Sequence, residues 1–301
     1  MVVQSKPQNE RTVLITGTSS GIGRATAFAA ARSGWRTIAT MRAPEGVDAL
    51  RAEAADAGVE LDIRLLDVTD AATIERESNY CRNTYGRLDA LINNAGSATV
   101  GSLESLEMKD FRDAMEVNYF GVVATTRAFM PLLRESGGRV ITISSVGGVV
   151  GQPFNEAYCA AKFAVEGFLE SLQPVAKSAG VGVYIIEPGA VSSDFVANAG
   201  MDTGRMLAAA GPYESALKAY LERTRRQFAS ANAQVPEDVA NVVLETLQAT
   251  SPAFRIQTSK WARDFVATKL NDVDGGRVTS MTAGWVGLPA PASEEHGARA
   301  Q

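Results

Sequence analysis

The sequence predicts an α/β protein: one doubly wound domain, with a parallel sheet and helices on both faces. Three observations predict it. Short β-rich runs alternate with helical stretches from Thr12 to Glu187, without a linker or an internal repeat. Several of these runs are continuously apolar, as in Val13-Leu14-Ile15, which suits strands buried on both faces. The first run passes directly into the glycine-rich turn TGTSSGIG, Thr16 to Gly23, and then into an Ala-rich helix.

The elements follow in order. Residues 1–10 are polar and expected to be loose. Thr12 to Ile15 is the first strand, and the helix after the glycine turn ends near Gly34. Strand, glycine turn and helix together form a phosphate cradle: glycines let the backbone approach, and the helix start supplies amides and a positive dipole end. Arg36 to Met41 is the second strand, Gly46 to Ala57 a helix, Leu61 to Leu66 the third strand and Ala71 to Tyr85 a helix. Leu88 to Ile92 is the fourth strand and runs into Asn93-Asn94-Ala95-Gly96. Helices are expected over Met108 to Met115 and Val117 to Leu133, then a fifth strand over Gly138 to Ser144. A helix carrying Tyr158 runs to about Ala179, and Val181 to Glu187 is the sixth strand. Beyond Ser193 the beat breaks. Residues 194–212 have no clean period; helices are expected over Tyr213 to Ala229, Pro236 to Ala249 and Lys260 to Leu270, with a strand over Ala253 to Gln257. The domain is expected to span 11–283, with a substrate lid over 194–230 and a loose tail over 284–301.

Composition narrows the function classes. A 301-residue chain with 46% hydrophobic residues can bury a sizeable core. A net charge of −5 and the lack of a basic patch argue against a nucleic-acid partner. No run is long and apolar enough for a membrane span, and the N-terminus has no apolar signal core, so a cytoplasmic location is expected. Cys81 and Cys159 are too few for a disulfide framework and read as buried thiols. The single histidine, His296, lies in a polar tail, so neither a metal site nor a histidine triad is expected.

The chemistry concentrates in GQPFNEAYCAAKFAVEG, Gly151 to Gly167. Tyr158 and Lys162 stand four residues apart on a helix, so they share a face. An ammonium beside a phenol is expected to lower the phenol pKa from its usual value of about 10. That gives a proton donor or acceptor for use near neutral pH. Tyr-x-x-x-Lys alone is common; its company along the chain gives it weight.

TGTSSGIG after the first strand, Asp67 after the third, Asn93 to Gly96 after the fourth, then Asn118, Ser145, Tyr158, Lys162 and Pro188-Gly189 form an ordered set. Together they resemble the single-domain short-chain dehydrogenase/reductase family, strongly over about Thr12 to Ser193. The resemblance implies a Rossmann-like fold and a nicotinamide cofactor. It places Gly17, Ser19, Gly21, Ile22 and Gly23 at the cofactor phosphates, and Asp67 and Val68 near the adenine. It puts Asn94, Ala95 and Gly96 beside the cofactor and Pro188, Gly189, Val191 and Ser193 at the nicotinamide. Catalysis would use Tyr158 as acid/base, Ser145 on the substrate oxygen, Lys162 on the ribose and Asn118 on a water-linked path to the lysine. Ser144 would be structural. Ser193 stands where the family often has threonine, and Ala161 where serine often precedes the lysine.

The stretch from Ser145 to Lys162 is similar to the 17β-hydroxysteroid and retinol dehydrogenase branch, which implies a lipophilic alcohol or ketone, with Gly147 to Val150 and Pro153 as an apolar wall. At the end of the second strand Met41 stands where a carboxylate would bind a ribose 2′-hydroxyl, so Met41→Asp is expected to reverse the cofactor preference, and Arg42 follows it. Arg42 can pair with a 2′-phosphate, so NADP(H) is favoured over NAD(H). Arg223, Arg225 and Arg226 read as a solvated face or a partner contact. The resemblance also implies a homodimer or homotetramer, formed by the Val117 to Leu133 and Tyr158 helices, in which Phe163, Phe168 and Leu169 suit a buried face. The competing reading is a catalytically silent NADP-binding sensor or scaffold, which would be expected to break the Asn-Ser-Tyr-Lys set; here the set is complete.

Overall fold

The computed structural model describes residues 11–192, 202–228 and 233–271, together with 277, 281 and 284–287. Strands and helices alternate: β1 (Thr12–Ile15), α1 (Gly21–Arg32), β2 (Arg36–Met41), α2 (Val47–Asp56), β3 (Leu61–Leu65), α3 (Ala71–Tyr85) and β4 (Ala90–Asn93). Then come α4 (Met108–Met115), a π turn (Glu116–Phe120), α5 (Gly121–Ser136), β5 (Arg139–Ile143), α6 (Glu156–Ser178) and β6 (Gly182–Glu187). The last part holds α7 (Thr203–Ala209), α8 (Glu214–Phe228), α9 (Pro236–Gln248), β7 (Arg255–Gln257) and α10 (Lys260–Leu270).

The strands form one parallel sheet in the order β3-β2-β1-β4-β5-β6-β7. Side chains alternate across it, as the two-residue period of a strand requires. Leu14 faces a core shared with Phe129 of α5 and Leu169 of α6, whereas Val13 and Ile15 face one shared with Ala27 of α1 and Val243 of α9. The strand order reverses between β1 and β4. In such sheets the crevice outside the strand ends at that point is where ligands bind. The glycine turn leaves β1 there, and Asn94 leaves β4.

Each expected strand is present, with ends within two residues of the reading above. Three differences have physical reasons. Helix α1 begins at Gly21, inside the glycine turn, with Ser20 extended at its N-cap, so the turn's own amides form the helix start. Helix α7, in a stretch without apolar period, is set up by Asp202, whose carboxylate accepts from Gly204 N at 2.9 Å and Arg205 N at 3.1 Å. Trp285, placed by sequence in the loose tail, stacks on Phe265 at 5.6 Å between centroids. No helix among the described residues is long and apolar enough to cross a membrane.

The edge strand β7 is held by charge as well as by the ladder. Arg255 donates from Nε to Glu166 of α6 at 3.0 Å and from a terminal nitrogen to Glu170 at 2.7 Å. Its Nε also lies 3.5 Å from Glu187, which is 0% exposed and accepts from Gln257 at 2.9 Å. Burial raises the Glu187 carboxyl from an ordinary 4.5 to about 7, helped by the neighbouring Glu166 and opposed by Gln257 and Arg255. Burial raises Glu166 as well.

The folded chain therefore holds the Glu187 proton more tightly than the unfolded chain does. The linked stability is complete below the ordinary carboxylate pKa and is lost as pH rises through about 7, a loss of at most about 3 kcal/mol. We expect the thermal midpoint of the wild type to fall between pH 5 and pH 8, roughly the span of that shift, and Glu187→Gln to flatten part of the fall. Equal pH slopes in the two proteins would show that Glu187 does not titrate in this range.

Candidate active site

The site begins where two strand ends meet. Gly17 has φ +71°, and a Cβ on it would lie 2.8 Å from Ala95 Cα. A Cβ on Gly23 would lie 2.2 Å from Gly17 O and 2.3 Å from Asn94 Nδ2. Only glycine allows both approaches. Asn94 locks the contact: its Nδ2 donates to Thr16 O and Gly17 O, each at 2.9 Å. Thr16 Oγ1 accepts from the backbone N–H groups of Asn94 and Ala95, each at 3.0 Å. The neighbouring Asn93 turns toward α5 instead and donates to Thr126 Oγ1 at 2.9 Å.

Two elements present the reactive side chains. Strand β5 ends at Ile143, and Ser145 follows in an extended conformation with its Oγ accepting from Gly147 N at 3.0 Å. Helix α6 carries Tyr158 and Lys162 on one face, and the lysine Nζ donates to Ile143 O at 3.0 Å. Asn118 sits in the π turn, where Gly121 N–H reaches back five residues to Glu116 O. Its Nδ2 donates to Ala114 O and to Ser97 O, each at 3.0 Å, and its Oδ1 accepts from Ser97 N at 3.2 Å. A π turn of this kind re-aims side chains and is frequent at functional sites. A Cβ on Gly96 would lie 3.0 Å from Asn118 Oδ1 and 3.8 Å from Lys162 Nζ, so the two polar tips converge on that glycine.

The electrostatics differ from the reading of the isolated motif. Burial raises the Tyr158 phenol above its ordinary pKa, and the hydrogen bond with Ser145 opposes this. Burial lowers Lys162 from 10.5 to about 8, with Glu166 one turn away acting against the shift. The ammonium lies 5.8 Å from the Tyr158 ring centroid and spends a hydrogen bond on a backbone carbonyl. Desolvation therefore outweighs the attraction expected from four-residue spacing. The balance pushes the phenol toward its neutral form.

One cavity of about 760 Å³ joins these parts. Gly17, Ser19, Gly21, Ile22, Gly23, Arg42, Asp67, Val68, Asn94, Ala95, Gly96, Pro188, Gly189 and Val191 line it, as do Ser145, Tyr158 and Lys162. Ser193 lies outside the described residues. Asn118 is 0% exposed and backs the wall through Gly96. The glycine cradle at the start of α1 suits a pyrophosphate. Asp67 is pre-set at the far end, accepting from Thr69 N at 2.9 Å and Thr69 Oγ1 at 2.8 Å. These residues fit a dinucleotide.

Three sequence expectations change. Met41 is 1% exposed, packs in the core beside α1 and does not line the cavity, so Arg42 alone presents the end of β2 to it. Val150 is 0% exposed and packs with Phe265 and Val266, so it supports α10, and among the described residues neither Gly147 to Val150 nor Pro153 lines the cavity. Arg223 of α8 lines the cavity and is partly buried, whereas Arg225 and Arg226 are exposed as read. Sequence reasoning also missed Tyr220, Trp261 and Trp285 on the same wall. Trp261 packs against Gly189, where a Cβ would come within 2.9 Å of its ring.

A parallel sheet with a glycine cradle at its switch point and a Ser-Tyr-Lys cluster beside it defines a Rossmann-type oxidoreductase scaffold. The family model for short chain dehydrogenase matches residues 11–204. Estradiol 17-beta-dehydrogenase 1 of Rattus norvegicus is 38% identical over 251 residues, covering 81% of this chain and 72% of that protein. Retinol dehydrogenase 8 of Homo sapiens is 33% identical over 288 residues, 90% of this chain and 89% of that one. A solved short-chain dehydrogenase from Streptomyces avermitilis has 30% identity and a TM-score of 0.73, over 93% of this chain and 98% of that chain. The chain belongs to the short-chain dehydrogenase family of oxidoreductases.

Proposed function

We propose that the chain is an NADP(H)-dependent oxidoreductase that interconverts a lipophilic secondary alcohol and its ketone, with Tyr158 as acid/base. The observation that carries this reading is the placement of the Tyr158 phenol beside Ser145 and Lys162 on the wall of the glycine-lined cavity. The bound nicotinamide would supply or accept the hydride. Tyr158 moves the proton at the substrate oxygen, and Ser145 donates to the same oxygen as charge develops there. Lys162, fixed by Ile143 O, holds positive charge close to the phenol. Asn118 fixes the Ser97 backbone and Gly96 beside that lysine. Val100, Met206, Leu221, Trp261 and Trp285 give the cavity the apolar surface that a lipophilic substrate needs.

Tyr158→Phe keeps the ring and removes the proton. We expect turnover to fall by about 10²–10⁴-fold or more, with dinucleotide binding retained. Turnover within tenfold of the wild type would remove Tyr158 from the mechanism.

The cofactor preference rests on Arg42, the cation that the cavity places at the end of β2. A guanidinium pairs with a 2′-phosphate and gains little from a 2′-hydroxyl. Arg42→Gln should lower kcat/KM with NADP(H) by roughly ten- to a hundredfold while NAD(H) changes little. Met41→Asp is a poor test, because it would bury a carboxylate in the core. Equal loss with both cofactors would refute phosphate recognition by Arg42.

We also propose a homodimer or homotetramer formed through α5 and α6. Leu169 is buried within the chain, yet Phe120 is 49% exposed and Phe163 37% exposed beside these helices. Large apolar side chains left open at helix faces suit a subunit contact. Light scattering at micromolar concentration should give more than one subunit, and Phe120→Glu with Phe163→Glu should shift the mass toward one. A monomeric wild type would count against the assembly.

A further inference from the structure

The substrate end of the cavity carries a positive charge that the proposed chemistry does not use. Arg223 lies on α8, and its guanidinium carbon stands 3.5 Å over the Trp285 ring. One terminal nitrogen donates to Gln227 Oε1 at 3.1 Å. Burial depresses its pKa, which marks a guanidinium taken partly out of water. Among the described residues no carboxylate pairs with it, and Asp67, held by Thr69 at the adenine end, is the sole acidic residue of the cavity wall. The helix turn that carries Arg223 is held against the start of α6. Asn155 Nδ2, three residues before Tyr158, donates to Tyr220 Oη at 2.6 Å, and the Tyr220 ring packs on Phe154 at 5.7 Å. Arg223 follows Tyr220 by three residues on the same helix face, about 5 Å further along the axis.

A half-buried guanidinium without a carboxylate is costly unless a ligand supplies the anion. Stacking on the indole covers one face of the group and leaves its N–H edge for a planar partner. We infer that the substrate carries an anionic group, of carboxylate type, remote from the reacting carbon, and that Arg223 is the residue that selects it. This deepens the proposed alcohol–ketone chemistry and rests on it for the placement of the reacting carbon. A carboxylate would accept a forked pair of hydrogen bonds from Arg223, while the hydrocarbon between the two ends lies along Met206, Leu221 and Trp261.

The test uses a series of methyl-ketone fatty acids of rising chain length, each beside its methyl ester. Binding to the whole protein is followed by tryptophan fluorescence, since Trp261 and Trp285 line the cavity. Turnover is followed separately at the nicotinamide absorbance. At the length that spans the cavity, the acid should bind about ten- to a hundredfold tighter than its ester. In Arg223→Met that ratio should collapse toward one, and Arg223→Lys should keep part of it. Equal binding of acid and ester at every length would overturn the inference. So would a loss of NADP(H) affinity in Arg223→Met with the acid-to-ester ratio intact, because the guanidinium would then serve the cofactor. A binding ratio that appears without any turnover would sustain the anion site and sink the dehydrogenase reading instead.

Discussion

The site depends on one close contact, the approach of the β1 exit to the β4 exit. Asn94 Nδ2 bridges Thr16 O and Gly17 O, and the Thr16 hydroxyl accepts from two amides on the opposite loop. These bonds satisfy backbone groups that the sheet ladder has just released. They also hold Gly17 against Ala95 with no room for a side chain. Remove that clamp and two things separate. The α1 start loses its position over the crevice, and Gly96 loses its position beside Asn118 and Lys162. The glycine cradle and the Asn118–Lys162 cluster are therefore mechanically one unit, although residues 16–23 and 94–96 are far apart in sequence.

Behind that unit, burial sets the charges. Lys162, Glu166 and Glu187 are each within a few per cent of full burial. Desolvation pushes the lysine down and both acids up, so each moves toward its neutral form. Arg255 counters this from the sheet edge by reaching Glu166, Glu170 and Glu187 at once. Such a network adds little net stability, because desolvation offsets most of the attraction. Its structural effect is to tie β7 and β6 to the turn of α6 that follows Lys162. The lysine is thus anchored on two sides, by Ile143 O and by the fixed backbone of its own helix.

The legible parts of this protein were those whose geometry is local. A strand running into TGTSSGIG, or Tyr158 and Lys162 four apart, carries its arrangement in the chain itself, and Asn118, Ser145, Tyr158 and Lys162 are gathered as read. The misreadings were tertiary. Met41 and Arg42 are adjacent, and strand alternation alone could not say which faces the cavity; the core took the methionine. Val150 looked like a substrate wall because it is apolar and near Tyr158, but α10 packs over it. Arg223 sits in a charged helix whose sequence reads as solvated, and only the packing of Tyr220 on Phe154 turns that face inward. The phenol pKa was misjudged for the same reason, since burial is a property of the assembled site.

This division has a consequence for specificity. The wall that holds Asn94, Ser145, Tyr158 and Lys162 comes from β4, β5 and α6, whose positions are fixed by the sheet and by the Asn94 clamp. The opposite wall comes from α7, α8 and α10 with Trp285, elements outside the six strands read from the chain's regular beat. Among the described residues the two walls meet through the Asn155 to Tyr220 hydrogen bond and through rings and aliphatic side chains. Apolar contacts are non-directional, so side chains on the late helices can change without disturbing the Ser145-Tyr158-Lys162 wall. A charged group on such a wall is different. A guanidinium in partly dry surroundings is not neutral filler, since it must be answered by an anion or kept at a cost. Arg223 stands on that second wall, one turn of helix beyond Tyr220, the residue that ties the wall to Asn155 at the start of α6.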